Sequence, residues 1–211
     1  YVRSLQNLDP VTRKQLLNGD WEAKETYMFK RDWFQTVKDY PRDYPKVSVW
    51  DLAKTEEGKA KDPDYTANCL ATMQNGVLYI VRMLHFRGSP NQIEQAMRNC
   101  ASQDGVTVPV HIEEERGAAG KNLVDQIRRN ILLGYAVIGE PPSGEKSVRA
   151  MPLASAAEAG NVRLTEGVWN SAFLDEIEAF PEGNHDDQVD VAAYAYNALC
   201  NVARPPRVKH A

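Results

Sequence analysis

Cysteine is scarce: Cys69, Cys100 and Cys200 are the only three in 211 residues, widely separated and odd in number. Neither a disulfide framework nor a zinc site has that spacing, so they read as reduced, mostly buried thiols of a cytoplasmic protein. Long apolar runs are missing too. No stretch reaches the roughly 20 residues needed to cross a bilayer, and no signal-peptide pattern opens the chain. Neither sign of charge is in large excess. A net charge of -4 neither favours nor excludes a nucleic-acid partner, because a site can concentrate acid with base around it. There is no GxxxxGKS/T phosphate loop, and no zinc finger or recognition-helix signature that would read bases. What remains is ordinary: 43% hydrophobic and 26% charged residues suit a globular protein, and the length favours one large domain over two small ones. The chain opens on Tyr1 rather than methionine and is expected to be a piece of something longer.

Residues 1–40 read as a helical lead-in, with Leu16, Leu17, Trp21, Phe29, Trp33 and Phe34 as apolar anchors among charges. Pro41 and Pro45 bracket a linker. Val47 to Leu52 alternates as a strand, with Val47, Val49 and Asp51 on one face. A polar loop over 55–64 follows. Tyr65 to Thr72 and Val77 to His85 are strands around Asn75-Gly76, a type I′ hairpin signal. Ser89, Pro90 and Gln92 spell a capping box opening a helix whose inward face carries Ile93, Met97 and Cys100. Val108 to Ile112 is a fourth strand, running into Glu113, Glu114 and Glu115. The next helix faces Leu123, Val124, Ile127 and Ile131 inward, and Tyr135 to Ile138 is a fifth strand. A loop over 140–146, a helix over 150–159, a short edge strand over 161–164 and an amphipathic helix over 171–180 complete the order. This pattern predicts an α/β fold: a mixed sheet of order 3-2-1-4-5 flanked by helices, the layout of an RNase H-like domain. Residues 1–45 are the expected lead-in, 46–203 the domain, and 204–211 a basic flexible tail.

The stretch 180–200 is the most informative. Asp186, Asp187 and Asp190 crowd five positions where a turn gives way to a helix whose buried face is Val189, Ala192, Ala193, Tyr196, Leu199 and Cys200. Asn184 or Asp186 is the expected cap. Asp187 and Asp190 are three apart and Asp186 and Asp190 four, so either pair shares one side of the helix. Such a cluster is either a charged helix start that suits the macrodipole or a ligand set for a hard divalent cation. On this stretch alone the two readings stand level. Asp51 and Glu113, however, end the first and fourth strands, which are neighbours in the predicted order. With Asp187 at the start of the last helix, three distant carboxylates would converge at one sheet end. That geometry suits two Mg²⁺ or Mn²⁺ ions working on a phosphodiester. Strand alternation leaves Glu113, Glu114 and Glu115 in competition, and Glu113 is favoured because it directly follows the apolar strand.

NGDW at 18–21, MFKRDWF at 28–34, VWDLA with a following DYTA, IEEERGAAGK, EKSVRAMPLASAAEAGNV and FPEGNHDDQVD occur in that order. In these blocks the chain resembles the C-terminal nuclease domain of the large subunit of the DNA-packaging terminase of tailed bacteriophages. The resemblance implies a metal-dependent endonuclease that cuts concatemeric viral double-stranded DNA when genome packaging starts and ends. It implies a lead-in from an ATPase domain, and partners in the small terminase subunit and the portal protein. It also implies a place in the host cytoplasm. By position, Asp51, Glu113 and Asp187 would be catalytic metal ligands, with Asp186, Asp190 and Asp64 as further metal candidates and His185 as a helper. Motor activity is not assigned to this piece, which lacks the phosphate loop.

Phosphate contacts need positive charge without base identity, and Lys121, Lys146 and Arg149 are the candidates for a DNA track. Arg128-Arg129 reads better as a solvated helix face, and Trp50 and Trp169 as core. Two other functions fit part of the pattern. A junction resolvase of the same fold would share the acids but not the NGDW or EKSVRAMPLA blocks. A non-cutting docking domain of the motor would hold a cation structurally.

Overall fold

The structure is a computed structural model that describes residues 28–53, 64–114, 117–141 and 144–202. Most of the lead-in with NGDW, the polar loop up to residue 63, Glu115 and the basic tail therefore lie outside the described residues. Seven strands form one sheet: β1 (Gln35–Val37), β2 (Lys46–Asp51), β3 (Thr66–Gln74), β4 (Val77–Phe86), β5 (Val110–Glu113), β6 (Val137–Glu140) and β7 (Val162–Thr165). Five helices flank it: α1 (Pro90–Asp104), α2 (Ala118–Gln126), α3 (Lys146–Glu158), α4 (Asn170–Ala179) and α5 (Asp187–Val202).

The sheet order is β1-β7-β4-β3-β2-β5-β6. The predicted 3-2-1-4-5 order is its central run, β4-β3-β2-β5-β6. Antiparallel pairing joins β2, β3 and β4, and the other pairs are parallel. Asn75 and Gly76 both take positive φ, 51° and 80°, as a type I′ turn requires. The capping box at Ser89 is present in full.

Three expectations need correction. The strand over 162–165 is not an edge, because β1 pairs outside it. A three-residue strand is too short to show a period, so it was hidden in the lead-in. Its neighbours Phe29 and Phe34 are core residues that meet Phe180 and Phe173, respectively, in edge-to-face contacts. Helix α3 starts at Lys146, not near 150. Lys146 and Arg149 therefore lie on its first turn rather than in a loop. Leu123 is exposed on α2, not inward.

Alternation assigns each strand residue to one of two cores. Val47 and Val49 face a core built with α3, α4 and α5, while Trp50 faces the other with α1 and α2. On β5, Val110 and Ile112 face the second core with Trp50. The pairing Ser48 with Val110, Val49 with His111 and Trp50 with Ile112 carries this registry across both strands. The next residue on each is an acid. Asp51 and Glu113 thus end neighbouring parallel strands on the face that α5 crosses, and Glu114 falls to the opposite side. Alternation therefore favours Glu113 over Glu114. The Glu114 carboxylate is packed beside Gly139, where a Cβ would come within 2.6 Å of it.

Beneath the strands runs one buried polar network. Asn68 donates to Ser48 Oγ and to the Val49 carbonyl, each at 3.0 Å, and Arg82 donates to Asn68 Oδ1. Arg82 also makes a two-pronged bond to Asp104 at 2.6 and 2.7 Å, clamping the end of α1 to the sheet. Asp104→Ala would leave a largely buried guanidinium without its anion. A loss of about 3–5 kcal/mol, nearer the lower figure because Arg82 is part-exposed, is expected in urea unfolding. Val106→Ser, at an exposed position, should change stability by less than about 0.5 kcal/mol. A wild-type midpoint for Asp104→Ala would remove the clamp from this account.

Candidate metal centre

The acids meet where two strand ends and one helix start coincide. Helix α5 lies across β2, β3 and β4, its apolar side held by Val189, Ala192, Ala193 and Leu199 in the core. Its first turn is capped from another helix. The Glu176 carboxylate of α4 accepts the backbone N–H of Gln188 at 2.6 Å and of Val189 at 3.3 Å, and the Gln188 side-chain amide at 2.6 Å. The cap is therefore Glu176, not the side chain of Asn184 or Asp186. A cap 12 residues upstream fixes the helix start against the rest of the molecule, and with it the aspartates of that turn.

Asp51, Glu113 and Asp190 each bring a carboxylate oxygen to within 4.8 Å of the other two. The tight triple thus contains Asp190 rather than Asp187. Asp187 lines the same cleft, with Oδ2 3.5 Å from His85 Nε2 and 3.9 Å from His185 Nδ1. Asp186 sits on the other flank, accepting from Lys146 Nζ at 2.7 Å. The same ammonium is 2.8 Å from Asp190 Oδ2. Arg149 lies 3.2 Å from Asp190 Oδ1 and 3.7 Å from Glu113 Oε1.

Burial and mutual repulsion set the electrostatics. Burial pushes the Asp51 carboxyl up to about 7, with the charges of Glu113, Asp187 and Asp190 adding to the shift and Lys146 opposing it. Burial also raises Asp190, against the pull of Lys146 and Arg149. Burial disfavours the charge on Lys146, but its contacts with Asp186 and Asp190 outweigh that and raise its pKa above the ordinary value. Among the described residues, Asp51, Glu113, Asp186, Asp187 and Asp190 thus gather around Lys146 and Arg149.

The donor set fits a hard divalent cation. It is all carboxylate oxygen, and the acids come from three separate segments of the chain. Asp187 Oδ2 and Asp190 Oδ2 are buried without an aligned hydrogen bond, as oxygens reserved for a metal would be. The cleft beside Asp187 has a volume of about 880 Å³. Asp64, Tyr65, Glu114, Leu123, Asn184 and His185 line its walls.

The family model for the terminase RNaseH-like domain matches residues 48–199. The chain belongs to this family. The large terminase nuclease of the thermophilic phage G20c, solved with bound magnesium, is 18% identical and superposes with a TM-score of 0.59, covering 83% of this chain and 98% of that one. The nuclease domain of Thermus phage P74-26 large terminase is 18% identical at a TM-score of 0.56, over 82% and 94% of the two chains. The human cytomegalovirus terminase nuclease domain is 14% identical at 0.55, over 82% and 89%. At these identities the likeness is one of fold, and it is the mixed sheet flanked by helices that is shared. No curated protein sequence matches the chain.

Within this terminase-type domain, Lys121 stands apart from the other candidates: it is exposed on α2 and does not line the cleft. Arg128 donates to Asp125 and to the Val137 carbonyl, a structural role. Three neighbours of the site carried no sequence signal strong enough to select them. His85, next to the last residue of β4, lies in the row Asp51–Ala67–His85, where the small Ala67 leaves room for it on the same face. Tyr65 stacks on His85 with ring centroids 4.0 Å apart and meets His185 edge-on. Glu176 is an ordinary helix acid in sequence. Only the row position of His85 could have been noticed.

The shifted Asp51 yields a pH-dependent expectation. Its folded-state value lies above the unfolded one, so the native protein binds more protons and loses stability as pH rises from about 4 through 7. In EDTA at pH 8, Asp51→Asn should therefore melt higher than wild type, by about 2–4 °C for each kcal/mol relieved. The gap should close on acidification. Equal melting temperatures at pH 8, or a gap that widens toward pH 4, would contradict the assignment.

Proposed function

We propose that this chain is the metal-dependent endonuclease domain of a viral DNA-packaging terminase, cutting concatemeric double-stranded DNA as packaging starts and ends. The observation that carries this reading is the triple Asp51, Glu113 and Asp190 at adjoining strand ends, beside Asp187 in an open cleft. The family membership and the bound magnesium of the G20c nuclease support it. The ions would be two Mg²⁺ or Mn²⁺, held by Asp51, Glu113 and Asp190 with Asp187 completing the set; Asp186 and Asp64 are further candidates. When bound, divalent ions supply the positive charge that makes water a nucleophile and stabilises the departing oxygen of a phosphodiester.

The residues of the chain do the rest. Asp51 and Glu113 ride on rigid strand ends and Asp190 on a capped helix, so the ligand oxygens are set before substrate arrives. Arg149, nearly enclosed, balances part of the charge of Glu113 and Asp190. Lys146 and His185, both on the cleft wall, would meet phosphates, a readout of backbone and not of base. Hydrolysis by water needs no covalent enzyme intermediate. In this reading residues 46–203, together with strand β1 and the core residues Phe29 and Phe34 that precede them, form the nuclease unit, and the residues before those join it to an ATPase domain. The small terminase subunit and portal are the partners of the whole motor, and the host cytoplasm is its place.

Plasmid nicking with Mn²⁺ tests the assignment. Asp51→Asn, Glu113→Gln and Asp190→Asn should each lose at least about 100-fold in rate, about 2.7 kcal/mol of transition-state stabilisation. Glu114→Gln, on the other side of the strand, should stay within about tenfold. Circular dichroism verifies that each variant is folded. Wild-type cutting by a folded Asp51→Asn, Glu113→Gln or Asp190→Asn variant would overturn the reading.

A further inference from the structure

We infer that Lys146 is a built-in occupant of the cation site, holding Asp186 and Asp190 together until a divalent ion displaces it. The inference rests on the metal-dependent reading above and adds a competitor to it. Its basis is the contrast between two cations one helical turn apart. Arg149 is fixed: its side chain is 9% exposed, its guanidinium reaches both Glu113 and Asp190, and it packs 5.5 Å from the Tyr194 ring centroid. Lys146 is not. Its side chain is 49% exposed, and its contacts within the site are to Asp186 at 2.7 Å and Asp190 at 2.8 Å.

Asp190 lies in the first turn of α5 and Asp186 immediately precedes the helix, one turn away, so the ammonium between them balances charge at Asp190, the member of the metal triple that it reaches. Asp190 Oδ2 is the deeper oxygen: its side chain is 3% exposed, and the ammonium touches it without aligned hydrogen-bond geometry. The contact is a charge balance rather than a directed bond. Backbone geometry also argues against a permanent place for this lysine. Lys146 is the first residue of α3, and a cation at a helix N-terminus opposes the macrodipole. Among the described residues, the two acids hold it there. A divalent ion brings twice the charge to the same oxygens and leaves the flexible lysine stem free to turn into the open cleft. Metal binding and lysine release are then one equilibrium, and the lysine weakens apparent metal affinity.

Isothermal titration of Mn²⁺ into the whole chain reads this directly. Lys146→Met removes the competitor and should bind Mn²⁺ roughly three- to fivefold more tightly than wild type, the scale of one part-exposed ion pair. Lys146→Arg restores a cation and should return the affinity to within twofold of wild type, a separation of roughly 0.4 kcal/mol. Lys121→Met removes an exposed charge outside the cleft without touching the acids and should also stay within that range. Unchanged or weaker binding by Lys146→Met, with wild type binding normally, overturns the inference and leaves the metal reading standing. Equal tightening by Lys121→Met overturns it too, by tracing the effect to general charge. Absence of Mn²⁺ binding by wild type would overturn both readings.

Discussion

Repulsion among carboxylates gathered at one end of the sheet is the constraint that the rest of the structure meets. Two like charges 4 Å apart oppose each other by about 1 kcal/mol in water and about 4 kcal/mol at the dielectric typical of a protein surface. Asp51, Glu113 and Asp190 are closer to that second situation, since each is partly or wholly covered. A chain left to itself would separate them. What keeps them together is apolar packing elsewhere: Val47, Val49 and Ala67 on the strands, and Val189, Ala192 and Ala193 on α5, lock helix against sheet. Alanine at the contact lets the helix lie close, so Asp190 arrives at the strand ends rather than above them.

The frame answers the repulsion in three ways. Asp51 takes up a proton more readily than an ordinary aspartate, because burial and its acidic neighbours disfavour its charge. Lys146 and Arg149 lend positive charge from the first turn of α3. The Glu176 carboxylate occupies the positive end of α5, so the helix start is satisfied without using the aspartates. That last arrangement leaves Asp186, Asp187 and Asp190 available for a cation. An aspartate that capped its own helix would have its oxygens committed to backbone N–H groups.

Much of this was legible in the sequence, for definite physical reasons. Strand alternation in VSVWDL put Asp51 on the face of Val47 and Val49, and the Asn75-Gly76 turn set the hairpin that follows. The order of strands and crossover helices then made β2 and β5 neighbours, which brought Asp51 beside Glu113. The cluster at 186–190 was visible as composition. Which aspartate completes the triple was not, because Asp187 and Asp190 are three apart and periodicity cannot set helix rotation to within one residue. Capping by Glu176 and the approach of His85 depend on tertiary contact and leave no local pattern. Strand β1 is three residues long, below the length at which alternation can be read. The first turn of α3 was hidden by its charged residues, although those same charges put it at the site.

The central claim is that these carboxylates are ligands, and a crystal of the chain soaked in Mn²⁺ tests it most directly. Anomalous difference maps locate the metal without reference to any assumed site. The account predicts peaks between Asp51, Glu113 and Asp190, with carboxylate oxygens at about 2.1 Å, the distance small hard divalent ions demand. Peaks confined to other surface acids, with these three carboxylates free of metal, would contradict it.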